Sequence, residues 1–160
     1  MAKRSRAPRR AEKKLRILIV EARYYEQLAD KLLEGATQVL DEAGATYDRI
    51  SVPGALEIPG TIAMAVDAAQ RRRQPYDGVV ALGCVIQGET YHFELVSNES
   101  ARGLMDLTID RQLAIGNGIL TVDTELQAQA RLGGGKGHKG ATAARTALAM
   151  AKLKRELAGK

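Results

Sequence analysis

The chain has few aromatic residues, a single cysteine and no long apolar run. Aromatic residues make up 4% of the 160 residues and Trp is absent, so we expect a mostly aliphatic core. No apolar run approaches the roughly 20 residues that a bilayer-spanning helix requires. No apolar segment follows the basic N-terminus, so a secretory signal is not expected. Because Cys84 has no second cysteine as an internal partner, a reducing cytoplasm is the expected compartment.

The positive charge of the chain is concentrated at its N-terminus. Residues 1–14 hold seven Lys and Arg and one Glu, a net charge of +6, whereas the whole chain has +5, so residues 15–160 carry −1. The segment 1–14 lacks periodicity and contains Pro8, which predicts a disordered basic tail ahead of a single domain over 15–160. The tail serves either solubility or electrostatic contact with nucleic acid or an acidic partner, and we favour solubility. Specific recognition of nucleic acid is not expected, because basic and aromatic residues do not alternate in the domain.

Strand and helix patterns alternate along the domain. The first strand is an aliphatic run, typical of a strand that is buried on both faces. The predicted elements are strands at 17–20, 46–52, 79–84 and 114–121, and helices at 28–40, 57–73, 93–111, 124–132 and 139–157. This alternation predicts a four-stranded parallel sheet with helices on both faces, a three-layer α/β/α sandwich of the flavodoxin-like type. Gly116 and Gly118 interrupt the fourth strand, which indicates close approach of a ligand or of another backbone.

Three loops follow the first three strands, at 21–27, 53–59 and 85–92. In a doubly wound sheet such loops converge on one crevice. They carry an aromatic pair, a carboxylate and one of the two histidines, in the residues Tyr24, Tyr25, Gly54, Ala55, Leu56, Glu57, Gly88, Glu89, Thr90 and His92. An aromatic face for stacking, a carboxylate for hydroxyl or N–H groups and an imidazole for proton transfer suit a planar polar ring. No Rossmann fingerprint follows the first strand, so a dinucleotide site is not expected.

A second candidate site is the glycine-rich basic segment 131–140. It does not match the Walker A pattern, so it predicts either an anion-binding turn or a flexible connection between helices, with equal weight. His138 is expected to be a surface residue. A metal site is not expected, because the two histidines and the cysteine lie far apart in the sequence. A Ser-His-Asp triad is not expected either, because no nucleophile elbow is present.

Four motifs together resemble those of the 6,7-dimethyl-8-ribityllumazine synthase family. They are Val52–Pro59 (VPGALEIP), Leu82–His92 (LGCVIQGETYH), Val96–Glu99 (VSNE) and the pair Lys139-Gly140. The similarity runs from about Leu15 to Leu157. It implies the condensation of 5-amino-6-(D-ribitylamino)uracil with 3,4-dihydroxy-2-butanone 4-phosphate, the penultimate step of riboflavin biosynthesis. The family needs no metal or redox cofactor.

The resemblance also implies a role for individual residues. Tyr24 matches the aromatic residue that stacks on the pyrimidine, and His92 matches the proposed general acid and base. The remaining matches are Ala55, Leu56 and Glu57 for the ribityl chain, Cys84, Val85 and Ile86 for the pyrimidine, Gly88, Glu89 and Thr90 for the phosphate, Arg131 for the phosphate, and Lys139 near the substrate. In the family, residues like Asn117, Arg131 and Lys139 reach the site from an adjacent subunit.

The resemblance includes departures and an expected assembly. Gln87 stands where many members have Arg, Cys84 where Thr is frequent, Asn117 where Phe is frequent, and Leu56 where Phe or Tyr is common. The family forms pentamers, and some members pack twelve pentamers into a 60-subunit shell. The unbroken link Gly133–Gly137 resembles that of shell-forming members. Riboflavin synthase is a candidate partner.

Three other functions are compatible with parts of the sequence. A paralogue that binds lumazine or flavin without forming it is supported by the departures at Gln87 and Asn117. A structural shell could package cargo through the basic tail. A signalling receiver of similar fold is disfavoured, because no paired acidic residues follow the first strand to hold magnesium.

Overall fold

A four-stranded parallel sheet lies between two layers of helices. The computed structural model describes residues 12–159. The elements in chain order are β1 (Arg16–Ala22), α1 (Glu26–Glu42), β2 (Thr46–Val52), α2 (Ile58–Arg71), β3 (Gly78–Ile86), α3 (His92–Asp110), β4 (Ile115–Val122), α4 (Glu125–Ala130) and α5 (Lys139–Ala158). The strand order is β2-β1-β3-β4, and each neighbouring pair is parallel. The predicted three-layer α/β/α fold of the flavodoxin-like type is confirmed.

The two central strands are buried on both faces, as their aliphatic sequences predict. Along β1, Ile17 and Ile19 face the core cluster that includes α1 and α5. Leu18 and Val20 face the opposite cluster, which includes α2 and α3. All four side chains are fully buried, and this alternation places one apolar set on each side of the sheet.

Helix α5 lies unusually close to the sheet and to α1, because glycines remove side chains at the contacts. A Cβ on Gly116 would collide with the carbonyl oxygen of Ala143, and one on Gly140 with that of Leu32. A Cβ on Gly118 would lie 2.7 Å from the carbonyl oxygen of Ala81 in the next strand. Of the two explanations for the glycines of β4, close approach of another backbone is therefore the one that the structure supports.

Some predicted boundaries differ from the observed ones. The helix predicted from Glu57 begins at Ile58, after a single turn of 3₁₀ helix at Ala55–Glu57, and Pro59 occupies its first turn. The helix predicted at 124–132 spans only Glu125–Ala130, because its C-cap is Arg131 and a turn follows. Among residues 12–159, no helix combines the length and hydropathy that crossing a bilayer requires.

The predicted disorder of the basic tail falls largely on residues 1–11, which lie outside the described residues, so it stays a prediction. Close to the domain, the guanidinium of Arg155 in α5 donates hydrogen bonds to the carbonyl oxygens of Lys13 and Lys14, at 2.6 and 3.4 Å. The same guanidinium pairs with Asp77 at 3.2 Å. These contacts lie at the amino ends of the strands, opposite to the predicted crevice.

Candidate active site

A cleft of about 350 Å³ opens at the carboxyl ends of the strands. Ten predicted site residues line it, namely Tyr24, Ala55, Leu56, Glu57, Cys84, Val85, Ile86, Gly88, Thr90 and His92. They come from three segments of the chain that are far apart in sequence. The parallel strands bring these segments together because β1, β2 and β3 all end at the same edge of the sheet.

The loop between β1 and α1 supplies the aromatic wall of the cleft. Tyr24 is 73% exposed, whereas Tyr25 is half-buried. Their rings meet edge to face, with centroids 4.9 Å apart and an interplanar angle of 81°. Burial raises the pKa of Tyr25, and the nearby Tyr24, Cys84 and Glu125 raise it further. The Tyr25 hydroxyl is therefore neutral at ordinary pH, and its ring supports the exposed ring of Tyr24.

The segment after β2 supplies a carboxylate. Ala55, the first residue of the 3₁₀ turn, is buried, whereas the side chains of Leu56 and Glu57 are exposed. A Cβ on Gly54 would lie 3.0 Å from Oε2 of Glu57, so the carboxylate lies directly over the glycine backbone. The turn is held by the Thr61 hydroxyl, which donates to the carbonyl oxygen of Glu57 at 2.7 Å. Glu57 can thus accept hydrogen bonds from a ligand at the mouth of the cleft.

The end of β3 and the start of α3 form the floor and the third wall. The backbone N–H of Gln87 donates to the carbonyl oxygen of Val122 at 2.9 Å, which fixes the turn to β4. The Thr90 hydroxyl accepts a hydrogen bond from the backbone N–H of His92 at 3.3 Å. His92 is exposed in the first turn of the 19-residue helix α3. The free N–H groups of such a helix end favour an anion beside the imidazole.

Cys84 lies at the floor of the cleft and is half-buried. Burial raises the pKa of its thiol to about 11, and the carboxylate of Glu125 contributes to the shift. The group is therefore a neutral thiol at physiological pH and behaves as a small packing residue.

Four predicted site residues lie outside this cleft. Glu89 is exposed and does not line it, and Asn117 is exposed on β4, an edge strand. The side chain of Asn117 accepts a hydrogen bond from the backbone N–H of Ile119 at 2.9 Å. Arg131 and Lys139 line a second cavity of about 320 Å³ along the end of β4. Within one chain, Arg131 and Lys139 thus line a different cavity from the cleft.

The second cavity is basic. Its lining includes the cations Arg131, Lys136 and Lys139, together with His138 and Thr142. The guanidinium of Arg131 donates to the carbonyl oxygen of Gln127 at 2.9 Å, which anchors one side of that group. We call it the cationic cavity.

The glycine-rich link beside the cationic cavity is a defined loop. The N–H of Gly133 donates to the carbonyl oxygen of Gly137 at 3.0 Å, and the N–H of Lys136 to that of Ala130 at 2.8 Å. Gly133, Gly135 and Gly137 have positive φ angles of 91°, 107° and 73°, which glycine adopts most readily. The loop therefore has hydrogen bonds of its own, and the choice between an anion-binding turn and a flexible connection stays a prediction.

His138 differs from its predicted place on the surface. It is half-buried, and its Nδ1 accepts a hydrogen bond from the backbone N–H of Ala141 at 3.2 Å, which caps α5. Its ring packs against Gly35, where any side chain would collide with it. The prediction missed the burial of His138 because the glycine against which its ring packs lies on α1, about 100 residues earlier in the chain.

Four further residues line the cleft. Tyr25 and Gly54 belong to the loops that were expected to converge there, whereas Phe93 and Val96 were not assigned to the site. Both belong to the predicted helix 93–111, where their apolar side chains suit a core position. Core and cleft positions share one apolar pattern, so periodicity alone does not separate them.

The lining of the cleft suits an organic ring better than a metal ion. Among residues 12–159, no group of three or more His, Cys, Asp or Glu side chains is arranged to hold a metal. The cleft residues within that range include no lysine or arginine. A cleft with apolar walls, one carboxylate and one imidazole can orient a planar polar molecule and move protons on it.

Comparison with known proteins identifies relatives that cover most of the chain. A family model described as 6,7-dimethyl-8-ribityllumazine synthase matches residues 14–155. The 6,7-dimethyl-8-ribityllumazine synthase of Agrobacterium fabrum is 61% identical over 143 residues, which cover 89% of this chain and 97% of the relative. The 6,7-dimethyl-8-ribityllumazine synthase 1 of Rhizobium meliloti is 59% identical over 145 residues, 91% of this chain and 95% of the relative.

Proposed function

Since the chain belongs to the 6,7-dimethyl-8-ribityllumazine synthase family, we propose that it catalyses the reaction that gives the family its name. It joins 5-amino-6-(D-ribitylamino)uracil to 3,4-dihydroxy-2-butanone 4-phosphate and yields 6,7-dimethyl-8-ribityllumazine, phosphate and water. This is the penultimate step of riboflavin biosynthesis. The proposed compartment is the cytoplasm.

One observation carries the proposal beyond family membership. The aromatic ring of Tyr24, the carboxylate of Glu57 and the imidazole of His92 line one cleft although they follow three different strands. A ribityl-substituted pyrimidine needs these three kinds of group: a stacking surface, an acceptor for its hydroxyl groups and a site of proton transfer. The cleft volume of about 350 Å³ is within the range of pockets for small molecules.

The proposed chemistry depends mainly on holding the two substrates together. The amine of the uracil must approach the ketone of the butanone phosphate closely enough to form an imine. Such positioning can supply up to about 7–11 kcal/mol of a barrier. His92, exposed in the cleft at the start of α3, is the proposed proton shuttle. The N–H groups around Gly88 and Thr90 would hold the phosphate until it leaves as an anion.

A complete site requires a second subunit. The residues that line the cleft within 12–159 include no lysine or arginine, whereas Arg131 and Lys139 lie in the cationic cavity. In the proposed ring, Asn117, Arg131 and Lys139 of one protomer complete the cleft of the next. Large apolar side chains exposed on α2 and α3 support association, since Met64, Met105 and Ile109 are 54–68% exposed.

The assembly is proposed to be at least a pentamer. The link Gly133–Gly137 supports further packing into a 60-subunit shell. Light scattering distinguishes a pentamer from a shell directly, because a shell of twelve pentamers has about twelve times the mass of one pentamer.

The direct test is an assay with both substrates. The purified protein is expected to form a fluorescent lumazine, and omission of either substrate is the control. A protein that binds the lumazine and yields no product from the two substrates would be a binding paralogue and would overturn the proposal.

The shared site is tested by mixing two impaired variants. One variant, His92→Ala, lacks the proposed proton shuttle. The other, with both Arg131→Ala and Lys139→Ala, lacks the cations that one protomer is proposed to contribute to the cleft of the next. The two variants are mixed in equal amounts, unfolded and refolded together. If chains enter the rings at random, about a quarter of the sites should combine His92 from one chain with Arg131 and Lys139 from its neighbour. Activity well above the sum of the separate variants supports a shared site, and activity equal to that sum contradicts it.

A further inference from the structure

A fully buried carboxylate lies three residues before Tyr24, which belongs to the aromatic wall of the cleft. Glu21 is 1% exposed, near the end of β1. Nη1 of Arg23 donates to both of its oxygens at 3.2 Å, and the Ser51 hydroxyl donates to Oε1 at 3.0 Å. The guanidinium of Arg49 lies 3.7 Å from the same oxygen. The carboxylate is thus paired and hydrogen-bonded, as a buried charge requires.

The network joins three elements around the β1–α1 loop. In the register of the sheet, Glu21 is paired with Ser51 of β2. Arg23 also forms an ion pair with Asp30 in the second turn of α1. Asp30 and Glu21 both raise the pKa of Arg23, so its guanidinium stays charged. One side chain therefore links the end of β1 to the start of α1.

Tyr24 is the residue whose position this network controls. The loop between β1 and α1 contains only three residues, 23–25. At 73% exposure, Tyr24 has little packing of its own. On one side Arg23 is fixed by Glu21 and Asp30, and on the other Tyr25 is half-buried with its carbonyl oxygen accepting from the N–H of Ala29 at 2.8 Å. The backbone of Tyr24 is held between two anchors.

Stability alone does not require a carboxylate at this place. Replacing a buried ion pair with apolar residues of similar volume is often neutral or stabilising, and the neighbouring β1 positions are aliphatic. The ion pairs can instead fix the orientation of Arg23, because a guanidinium held by two carboxylates has a fixed direction.

We infer that Glu21 is a positioning residue, which acts through Arg23 to hold the ring of Tyr24 against the uracil substrate. The inference rests on the proposed function. Glu21 does not line the cleft and touches no reacting atom in this arrangement. Its loss should therefore weaken the binding of one substrate and leave the chemical step nearly unchanged.

The test is a double-mutant cycle on Glu21 and Tyr24. Glu21→Gln keeps the shape of the side chain and removes its charge. It should raise KM for the uracil about fivefold, while kcat and KM for the butanone phosphate change less than about twofold. In a Tyr24→Ala background, the same substitution should have no further effect on KM for the uracil, because the ring that Glu21 is proposed to position is absent.

Two further variants separate positioning from folding. Asp30→Asn removes the exposed end of the network, since Asp30 is 69% exposed, and should give a smaller rise in the same KM that also vanishes without Tyr24. Asp67→Asn breaks the ion pair with Arg111 between α2 and α3, away from the cleft, and should leave both KM values unchanged. A purely structural role would instead lower kcat equally in both Tyr24 backgrounds.

The outcomes also separate this inference from the proposed function. If the wild-type protein does not convert the two substrates, the proposed function fails. Fluorescence polarisation with 6,7-dimethyl-8-ribityllumazine as the probe then tests the same cycle, and equal affinities in all four proteins would overturn the positioning role as well. If the wild-type protein is active and Glu21→Gln leaves KM for the uracil unchanged, or shifts it equally without Tyr24, the inference alone is wrong.

Discussion

The cleft and the cationic cavity lie on the same half of the molecule and differ in nearly every chemical respect. The cleft is built from three strand exits and holds one imidazole and one carboxylate among apolar walls. The cationic cavity is built from the end of β4, the glycine-rich loop and the first turn of α5, and it holds Arg131, Lys136 and Lys139. One can orient a ring, and the other can hold an anion.

In the proposed reaction, the cleft would hold the pyrimidine and the cationic cavity would supply the positive charge for the phosphate. A phosphorylated substrate in the cleft of an isolated chain would meet backbone N–H groups and no cationic side chain from the residues that line it within 12–159. Supplying the cations from a neighbour completes the site only in the assembled state, so the proposed activity would depend on assembly.

The largest expected effect comes from the cleft itself. His92→Ala should lower kcat about 10²–10⁴-fold and leave measurable activity, because positioning of the substrates does not depend on the imidazole. Steady-state kinetics on both substrates measures this. Tyr91→Phe is the neighbouring control, since Tyr91 is 69% exposed and does not line the cleft, and it should retain wild-type turnover. Unchanged turnover in His92→Ala would remove the imidazole from the mechanism.

The next largest effect is expected at Gly140, where α5 contacts α1 beside Lys139 of the cationic cavity. A Cβ on Gly140 would meet the carbonyl oxygen of Leu32, so Gly140→Ala forces α5 away from α1 and carries Lys139 with it. We expect a loss of about 3 kcal/mol in the free energy of unfolding, measured in urea at fixed protein concentration.

Gly60→Ala in α2 is the matched control for Gly140→Ala. Gly60 has nothing within 4 Å of an added Cβ, so its replacement should stabilise the helix by up to about 1 kcal/mol. Equal effects at the two glycines would show that the α1–α5 contact is not as close as described.

Some features of the molecule follow from local sequence pattern, and others depend on contacts between distant elements. The strands, the layers and the grouping of Tyr24, Glu57 and His92 follow from local pattern and from the rule that parallel strands end together. The packing of His138 against Gly35 and the pairing of Glu21 with Ser51 do not follow from local pattern, because these partners lie in other elements. A charged residue at the end of an aliphatic strand, two positions before an arginine, was the available signal for Glu21.

A smaller effect tests the apolar character of the cleft floor. Burial, with Glu125 nearby, raises the pKa of Cys84 from about 9 to about 11. At pH 8 the thiolate is therefore scarce, and alkylation by iodoacetamide should be about 100-fold slower than in the urea-unfolded chain. Since the raised pKa favours the neutral thiol in the folded state, its contribution to stability is complete below pH 9 and is lost as pH rises through 11.

The pH dependence of this reaction makes the test specific. The alkylation rate of the folded protein should rise about tenfold per pH unit up to pH 11, and Glu125→Gln should increase it at a given pH. Reaction as fast as in the unfolded chain would mean that the floor of the cleft does not disfavour an anion, which would erase its contrast with the cationic cavity.

The smallest expected effect is selective for one substrate. Arg131→Ala should raise KM for the butanone phosphate about tenfold and leave KM for the uracil within about twofold, because in the proposed site the guanidinium pairs with the phosphate and not with the pyrimidine. Arg131→Lys should recover part of the loss, since it keeps the charge and gives up the bidentate geometry. Because Arg131 lines the cationic cavity of its own chain and not the cleft, a selective loss for the phosphate requires a neighbouring chain to present it. An equal loss for both substrates would instead assign Arg131 to the stability of the α4–α5 connection, where it already binds the carbonyl oxygen of Gln127.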